Sequence, residues 1–340
     1  MNNPGMNNPG VNNSGVNNSD LNNLVLTLTP NPAVDVTYTV DGVELGSSHR
    51  VPTPLYRAGG KGLNVSRVAH QLGFPTLAIA TVGGLSGERF RADLASSGIP
   101  HHLVPVAAAT RSSIALVDTA ADYCTSIFNE SGPALTAQEW QRLAAAVVDG
   151  LAGSQTSTGV RKPGVLVGSG SLPEAAPDDF YPALVALAHA AGVPAIIDTS
   201  GSGIVAAAKA GADLLKPNNH ELMEAVAEKD LVSAARKLMD FGAKRVLVSV
   251  GEEGMLAFSA ESPGTFLQAK LPAPLSGNPT GAGDAAVSAA AVALAQGVLD
   301  LREILRRATS WSAAAVLMPG AGEISPRYAE LADQLIITEH

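Results

Sequence analysis

From Leu24 onward the chain alternates short apolar runs rich in β-branched residues with longer Ala- and Leu-rich segments. The run Leu24–Thr29 stops at Pro30 and reads as a buried strand. Comparable runs at Thr76–Val82, Gly164–Gly168, Pro194–Asp198, Asp213–Leu215 and Arg245–Val250 predict further strands. Helical patterning fills residues 61–72, 86–97, 136–151, 177–191, 202–210 and 219–228 between them. Strands that alternate with helices predict an α/β fold, a mostly parallel sheet covered on both faces. Two stretches, 33–57 and 110–130, break the alternation and read as strands without intervening helices, with Val/Thr/Tyr alternation in Val34–Val40 and Ile114–Val117. Strands inserted into an α/β frame predict a small separate sheet, a lid. After Ala282 the pattern is helical almost throughout, with breaks at Gly297 and around 319–322.

The first 23 residues follow another rule, a degenerate five-residue repeat of Asn, Pro, Gly and Ser. Such residues bury too little apolar surface to offset the entropy of ordering, so 1–23 is expected to be a disordered tail and 24–340 the folded part. No apolar stretch is long enough for a bilayer, and the N-terminus lacks the basic start and apolar middle of a signal peptide. Cys124 is the single cysteine, which excludes an intramolecular disulfide and suits a reducing, cytoplasmic location. The net charge of −9 argues against nucleic acid or a membrane surface as a partner. An acidic chain that binds anions must gather its few cations and free backbone N–H groups at one place, so the Lys and Arg residues beside glycine turns become informative.

Gly281-Ala282-Gly283-Asp284 opens the helical run Ala285–Gln296. A helix N-terminus has unpaired N–H groups and partial positive charge, and small residues let an anion approach them. A carboxylate in that first turn can take a proton from a hydroxyl while the N–H groups stabilise a transferring phosphoryl group. By itself Asp284 reads equally well as an acidic residue favoured by the helix dipole. Gly281, Gly283 and Ala286 also fit the G-x-G-x-x-A form of a dinucleotide fingerprint, but Pro272, Pro274 and Pro279 preclude the strand it requires.

Gly59-Gly60-Lys61-Gly62-Leu63-Asn64 is a second Gly-rich turn leading into a helix, without the spacing of a P-loop. Its glycines expose N–H groups, Lys61 offers a point charge and Asn64 can bond a hydroxyl. Asp35 follows the rigid turn Thr29-Pro30-Asn31-Pro32 and can accept from vicinal hydroxyls; Arg111 opens a lid strand and can grip a phosphate bidentately. Asn218 and Glu221, three apart at a strand-to-helix junction, can order water around Mg²⁺ or form a capping box. Ser249-Val250-Gly251-Glu252-Glu253-Gly254 ends a strand in a turn that can receive a nucleotide or simply close a hairpin. The histidines show no metal spacing, and no Gly-x-Ser-x-Gly elbow occurs.

Together these segments, with Gly168-Ser169-Gly170-Ser171-Leu172-Pro173, Asp198-Thr199-Ser200-Gly201 and Lys216-Pro217-Asn218, resemble the ribokinase-like (PfkB) sugar kinases from about Leu24 to the C-terminus. The nearer match is the phosphosugar branch, 1-phosphofructokinase and tagatose-6-phosphate kinase. The resemblance implies a three-layer α/β/α fold with a β lid, often dimerising through that lid, and ATP with Mg²⁺ as the phosphoryl-donor system. It implies Asp284 as base, Gly281, Ala282 and Gly283 as anion hole, and Asp35, Gly59, Gly60, Lys61 and Asn64 on the sugar side. Arg111 falls on the existing phosphate, Ser249, Gly251, Gly254 and Lys216 on the nucleotide, and Asn218 and Glu221 on Mg²⁺. Asn278-Pro279-Thr280 replaces the Asp-Thr of many members, which puts the monovalent-cation site of ribokinases in doubt. Fructose-1-phosphate is the leading substrate, with tagatose-6-phosphate and fructose-6-phosphate as alternatives; 6-phosphofructokinases of the family often carry glycine where Lys61 stands. A catalytically silent sugar-phosphate sensor on the same fold is the reading from another class.

Overall fold

The alternation along the chain resolves into a ten-stranded sheet. Its spatial order is Ile336–Glu339, Leu267–Lys270, Met255–Ser259, Arg245–Ser249, Leu214–Leu215, Ala195–Asp198, Pro163–Ser169, Leu24–Thr29, Thr76–Val82 and His101–Pro105. The computed structural model describes residues 23–121, 124–156 and 159–340, so all of the expected tail except Asn23 lies outside the described residues.

Strand pairing is parallel from Arg245–Ser249 across to His101–Pro105 and antiparallel over the three strands at the other edge. Side chains alternate between two cores, as the two-residue period of a strand requires. Leu26, Leu28, Leu166, Ile197, Leu215 and Val246 point to one face, where helices Ala137–Ala152, Phe180–Ala190, Ser202–Lys209, Asn219–Val226 and Leu231–Phe241 cover them. Val25, Val165, Val167, Ile196, Leu214 and Leu247 point to the other, under helices Lys61–Gln71, Ala282–Ala295, Leu301–Val316 and Tyr328–Gln334. The result is the ribokinase-like three-layer α/β/α arrangement.

A second sheet of four strands, in the order Leu55–Gly59, Ala33–Val40, Arg111–Asp118 and Cys124–Asn129, stands apart from the first. Helix Gly84–Ser96 closes a third core between the two sheets through Phe90 and Leu94, which meet Val34, Val36 and Ala58. Strands Ala33–Val40 and Arg111–Asp118 contain the alternating runs Val34–Val40 and Ile114–Val117, and within 33–57 residues 41–54 form an irregular loop before Leu55–Gly59.

The structure also differs from the expected pattern at one edge. The chain after Ala282 ends in a strand, Ile336–Glu339, which pairs with Leu267–Lys270. Four residues are too few to show a period, and only the pairing partner defines them as a strand.

Helix Ala282–Ala295 is buried along nearly its whole length. Six of its residues between Ala285 and Ala293 are alanine, and this small cross-section lets it lie against Lys61–Gln71, where Ser288 Oγ donates to Val65 O at 2.9 Å. The sheet rests on its central strands. Leu166→Ala, at a position 0% exposed, is expected to lower unfolding free energy by about 3 kcal/mol. A denaturant titration checks this, and a loss below about 1 kcal/mol would mean that the site collapses around the cavity.

Candidate active site

Most sequence-predicted residues lie at or just beyond the C-terminal ends of the parallel strands, where open α/β sheets bind ligands. Leu24–Thr29 leads to Asp35, Ala195–Asp198 ends on Asp198, Leu214–Leu215 leads to Lys216 and Asn218, and Arg245–Ser249 leads to the 249–254 turn. Ser249 also forms a bridge to Asn218, which holds that turn beside the Asn218–Glu221 corner.

Helix starts differ in how they are capped. Thr136, Asn218, Asp230 and Asp300 cap their helices with side-chain hydrogen bonds. Helices Lys61–Gln71, Ser202–Lys209 and Ala282–Ala295 start instead at Gly60, Gly201 and Gly281, which supply no side chain to occupy the first N–H groups. Gly281 has φ +85°, and a Cβ there would come within 2.7 Å of Ala321 Cα. Gly60, at φ +124°, would bring a Cβ to 2.6 Å from Thr29 Cγ2, and a Cβ on Gly59 would strike the Asp35 carboxylate. Close packing alone requires these glycines.

Four ionisable groups meet in the cleft. Asp284 is buried at the start of its helix and accepts from Asn64 Nδ2 at 2.8 Å. Burial pushes its carboxyl up to about 6; the Lys61 ammonium opposes the shift and the Asp198 charge adds to it. Asp198 is fully enclosed, with Oδ2 accepting from Ser169 Oγ at 2.9 Å and lying 3.4 Å from Lys61 Nζ. Its Oδ1 lies 3.7 Å from Lys216 Nζ and has no hydrogen-bond partner. Burial would raise the Asp198 carboxyl, but the two lysines outweigh it and hold the group below its ordinary value. Lys61 is held firmly protonated, first by Asp198 against the cost of burial, then by Asp284 and Glu221. Its side chain is 41% exposed and so faces the open cleft. Lys216 is buried, and its Nζ reaches to 3.1 Å from where a Cβ on Gly283 would stand, beside the Gly281–Gly283 turn.

The small sheet supplies the opposite wall. Burial raises Asp35 to about 6, against the pull of Arg111 and with a contribution from Asp284. Arg111 grips the Asn31 corner: Nε donates to Asn31 Oδ1 at 3.0 Å, Nη2 to Asn31 O at 3.1 Å, and Nη1 to Glu130 O at 3.1 Å. Two N–H groups of its fork are left for an incoming anion. Asn218 and Glu221 form a complete capping box, Glu221 N donating to Asn218 Oδ1 at 2.8 Å and Asn218 N to Glu221 Oε2 at 2.9 Å. The turn 249–254 closes a hairpin, with Gly251 and Gly254 at positive φ.

Sequence reasoning assigned no role to Asp198, Ser169 or Arg57. The signal for Asp198 was an apolar run ending on a carboxylate, Ala195-Ile196-Ile197-Asp198. Its partners Lys61 and Lys216 come from distant segments, so no spacing could reveal the cluster.

The model of the family described as pfkB family carbohydrate kinase matches residues 28–327. The ATP-dependent 6-phosphofructokinase isozyme 2 of Mycobacterium tuberculosis is 35% identical over 304 residues, covering 87% of this chain and 85% of that protein. Phosphofructokinase-2 from Escherichia coli, solved in complex with fructose-6-phosphate, superposes with a TM-score of 0.79 at 29% identity, over 91% of this chain and 98% of that one. A Thermotoga maritima chain described as "Possible 1-phosphofructokinase" has a TM-score of 0.80 at 22% identity, over 93% and 99% of the two chains, and bears on the fold alone.

The raised Asp284 carboxyl has a consequence for stability. Its folded value, about 6, lies above that of the unfolded chain. The folded state therefore gains stability from this group as pH falls through 6 towards 4, and loses it again above 6. Asp284→Asn removes that cost. The variant is expected to exceed the native protein by on the order of 3 kcal/mol at pH 8, with the difference shrinking to near zero by about pH 4. Denaturant titrations at several pH values check this; a difference that does not change with pH would refute the burial argument.

Proposed function

The chain belongs to the pfkB family of carbohydrate kinases, and from that premise we propose that it phosphorylates fructose-1-phosphate to fructose-1,6-bisphosphate. It is a phosphofructokinase-like sugar-phosphate kinase, and ATP is the phosphoryl donor. The observation that carries the choice of sugar is Lys61, a cation beside the base where 6-phosphofructokinases often have glycine.

In this reading Asp284 takes the proton of the sugar hydroxyl as its oxygen bonds to the γ-phosphorus of ATP. The bond from that phosphorus to the bridging oxygen breaks, and ADP leaves with the electron pair. N–H groups of Gly281 and Gly283 receive the charge on the transferring phosphoryl group, with Lys216 below them, and the Ala282 N–H joins them on leaving Pro279 O, to which it donates at 3.1 Å. Asp35, Gly59, Gly60 and Asn64 orient the sugar hydroxyls, and Lys61 adds positive charge on that side. Arg111 takes the existing phosphate with its free N–H groups. The turn holding Ser249, Gly251 and Gly254 receives the nucleotide.

Mg²⁺ fits the site only through water and phosphate. Among the described residues no cluster of three acidic, His or Cys side chains can hold a metal, and the capping box occupies one Glu221 oxygen. That leaves Glu221 Oε1, with Asn218 beside it, to bind the water shell that Mg²⁺ retains. Bound Mg²⁺ would neutralise charge on the nucleotide phosphates.

No helix among the described residues is long and apolar enough to cross a membrane, and a cytoplasmic location is proposed with the metabolic role. A homodimer through the small sheet is supported by Leu55 and Ile127, 65% and 46% exposed in one row across its outer strands. Sedimentation velocity checks this, a monomer at micromolar concentration being the contrary result.

A second reading, fructose-6-phosphate, is favoured by the names of the Mycobacterium tuberculosis and Escherichia coli relatives. A coupled ADP-release assay over fructose-1-phosphate, fructose-6-phosphate, tagatose-6-phosphate and the free sugars decides between them. The highest kcat/KM is expected for fructose-1-phosphate; a preference for another sugar phosphate would transfer the assignment to it, and no turnover on any would favour a silent sensor. On the preferred substrate kcat/KM is expected to fall as pH drops below about 6, where Asp284 and Asp35 protonate. Asp284→Asn should lower turnover by on the order of 10³-fold, and near-native turnover would remove Asp284 as the base.

A further inference from the structure

Arg57 lies in strand Leu55–Gly59 of the small sheet, directly opposite Asp35 in the antiparallel register. Its guanidinium leaves that sheet. Nη1 donates to Ala321 O at 3.0 Å and Nη2 to Glu323 Oε1 at 2.6 Å. The pair is partly shielded, the Arg57 side chain being 24% and that of Glu323 40% exposed.

Loop 319–323 is the other wall of the anion-hole turn. Ala321 Cα stands 2.7 Å from where a Cβ on Gly281 would be, and Asn278 Nδ2 donates to Pro319 O at 3.0 Å. A Cβ on Gly322 would come within 3.0 Å of Asn64 Oδ1, whose amide nitrogen holds Asp284. The loop thus touches Gly281 on one side and the Asn64–Asp284 pair on the other. Gln71 secures its far end through reciprocal bonds with Ile324, at 2.7 and 2.9 Å. Arg57 thus bonds the small sheet to this loop.

The strand bearing Arg57 is itself anchored. Arg67 Nη2 donates to Ala58 O at 3.0 Å and to Asp93 Oδ2 at 2.7 Å, and Ala58 N donates to the same Asp93 oxygen at 2.9 Å. A rigid path therefore runs from Asp35 across the strand pair to Arg57, and from there through Ala321 to Gly281.

We propose that Arg57 is a positioning residue: by clamping loop 319–323 onto the Gly281 turn, it sets the anion hole only when the sheet that carries Asp35 is docked. The proposal deepens the kinase reading and rests on it for its kinetic consequences. Arg57 touches neither the reacting hydroxyl nor the transferring group, so its loss should act on turnover more than on binding. A small misplacement of such groups costs on the order of tenfold to a hundredfold in rate.

The test uses the full chain. Arg57→Met keeps the aliphatic stem, and Glu323→Gln weakens the same contact from the other side without altering the small sheet. Both should lower kcat on the order of tenfold or more, leave KM for ATP and sugar phosphate within about threefold, and be non-additive when combined. Hydrogen exchange at the amides of 281–284 and 320–323 should quicken in both variants while the global unfolding midpoint is unchanged. A KM for sugar phosphate that rises tenfold at constant kcat would make Arg57 a binding residue and overturn the proposal. Native exchange at those amides would overturn it equally, and that measurement stands even if no kinase substrate is found.

Discussion

The structure depends on a charge balance at the C-terminal edge of the parallel sheet. Asp198 and Asp284 are buried carboxylates, and Lys61 and Lys216 are the cations that make their burial tolerable. An unpaired carboxylate in such a place would cost several kcal/mol. The balance is uneven by design of the packing: Asp198 has both lysines and a serine hydroxyl and stays ionised, whereas Asp284 has one amide donor and a raised pKa of about 6. Two similar carboxylates are thus driven apart by their surroundings, one fixed in charge and the other free to exchange a proton near neutral pH.

The proposed phosphoryl transfer needs backbone N–H groups without side-chain competitors, and the choice of helix starts suits it. Several helices begin with side-chain caps that consume a first donor, as at Thr136 and Asp300. Gly60 and Gly281 put no side chain on theirs, and each is pressed so closely by neighbouring backbone or side chain that a Cβ would not fit. What looks like a concession to ligand access is also a packing requirement. The Ala-rich body of helix Ala282–Ala295 serves the same end, because only a thin helix can run through the core and still deliver Asp284 to the cleft.

Much of this was legible along the chain, for reasons that separate local from distant information. The strand at Leu24–Thr29 and the helix after Gly283 are declared by their own residues, by β-branched runs, glycine and a following alanine series. The edge strand Ile336–Glu339 was not, because its four residues carry no period and it exists by pairing with Leu267–Lys270. At the site, Asp284, Lys61 and Asn64 stood out through glycine context. Asp198 did not, since a carboxylate closing an apolar strand is ordinary until two lysines from elsewhere converge on it. Asn218 and Glu221 show the reverse: their spacing fits both a capping box and a metal-side pair, and the folded chain satisfies the first while leaving one oxygen for the second.

The separation of sheets bears on why the reaction class is plainer than the substrate. Residues assigned to phosphoryl transfer sit on the large sheet and its helices, fixed by two extensive cores. Asp35 and Arg111, assigned to the sugar phosphate, sit on the small sheet, whose own core is modest and whose outer strands are exposed. Recognition of a stereocentre depends on hydrogen bonds placed to fractions of an ångström, and here that placement is set by how one sheet docks on another. Lys61 stands at the join, the first residue of its helix after Gly60 and the partner of Asp198 below. A cation at that point adds charge on the side assigned to the sugar and also opposes the rise of the Asp284 carboxyl, so in the proposed reading Lys61 ties the phosphosugar preference to the state of the base.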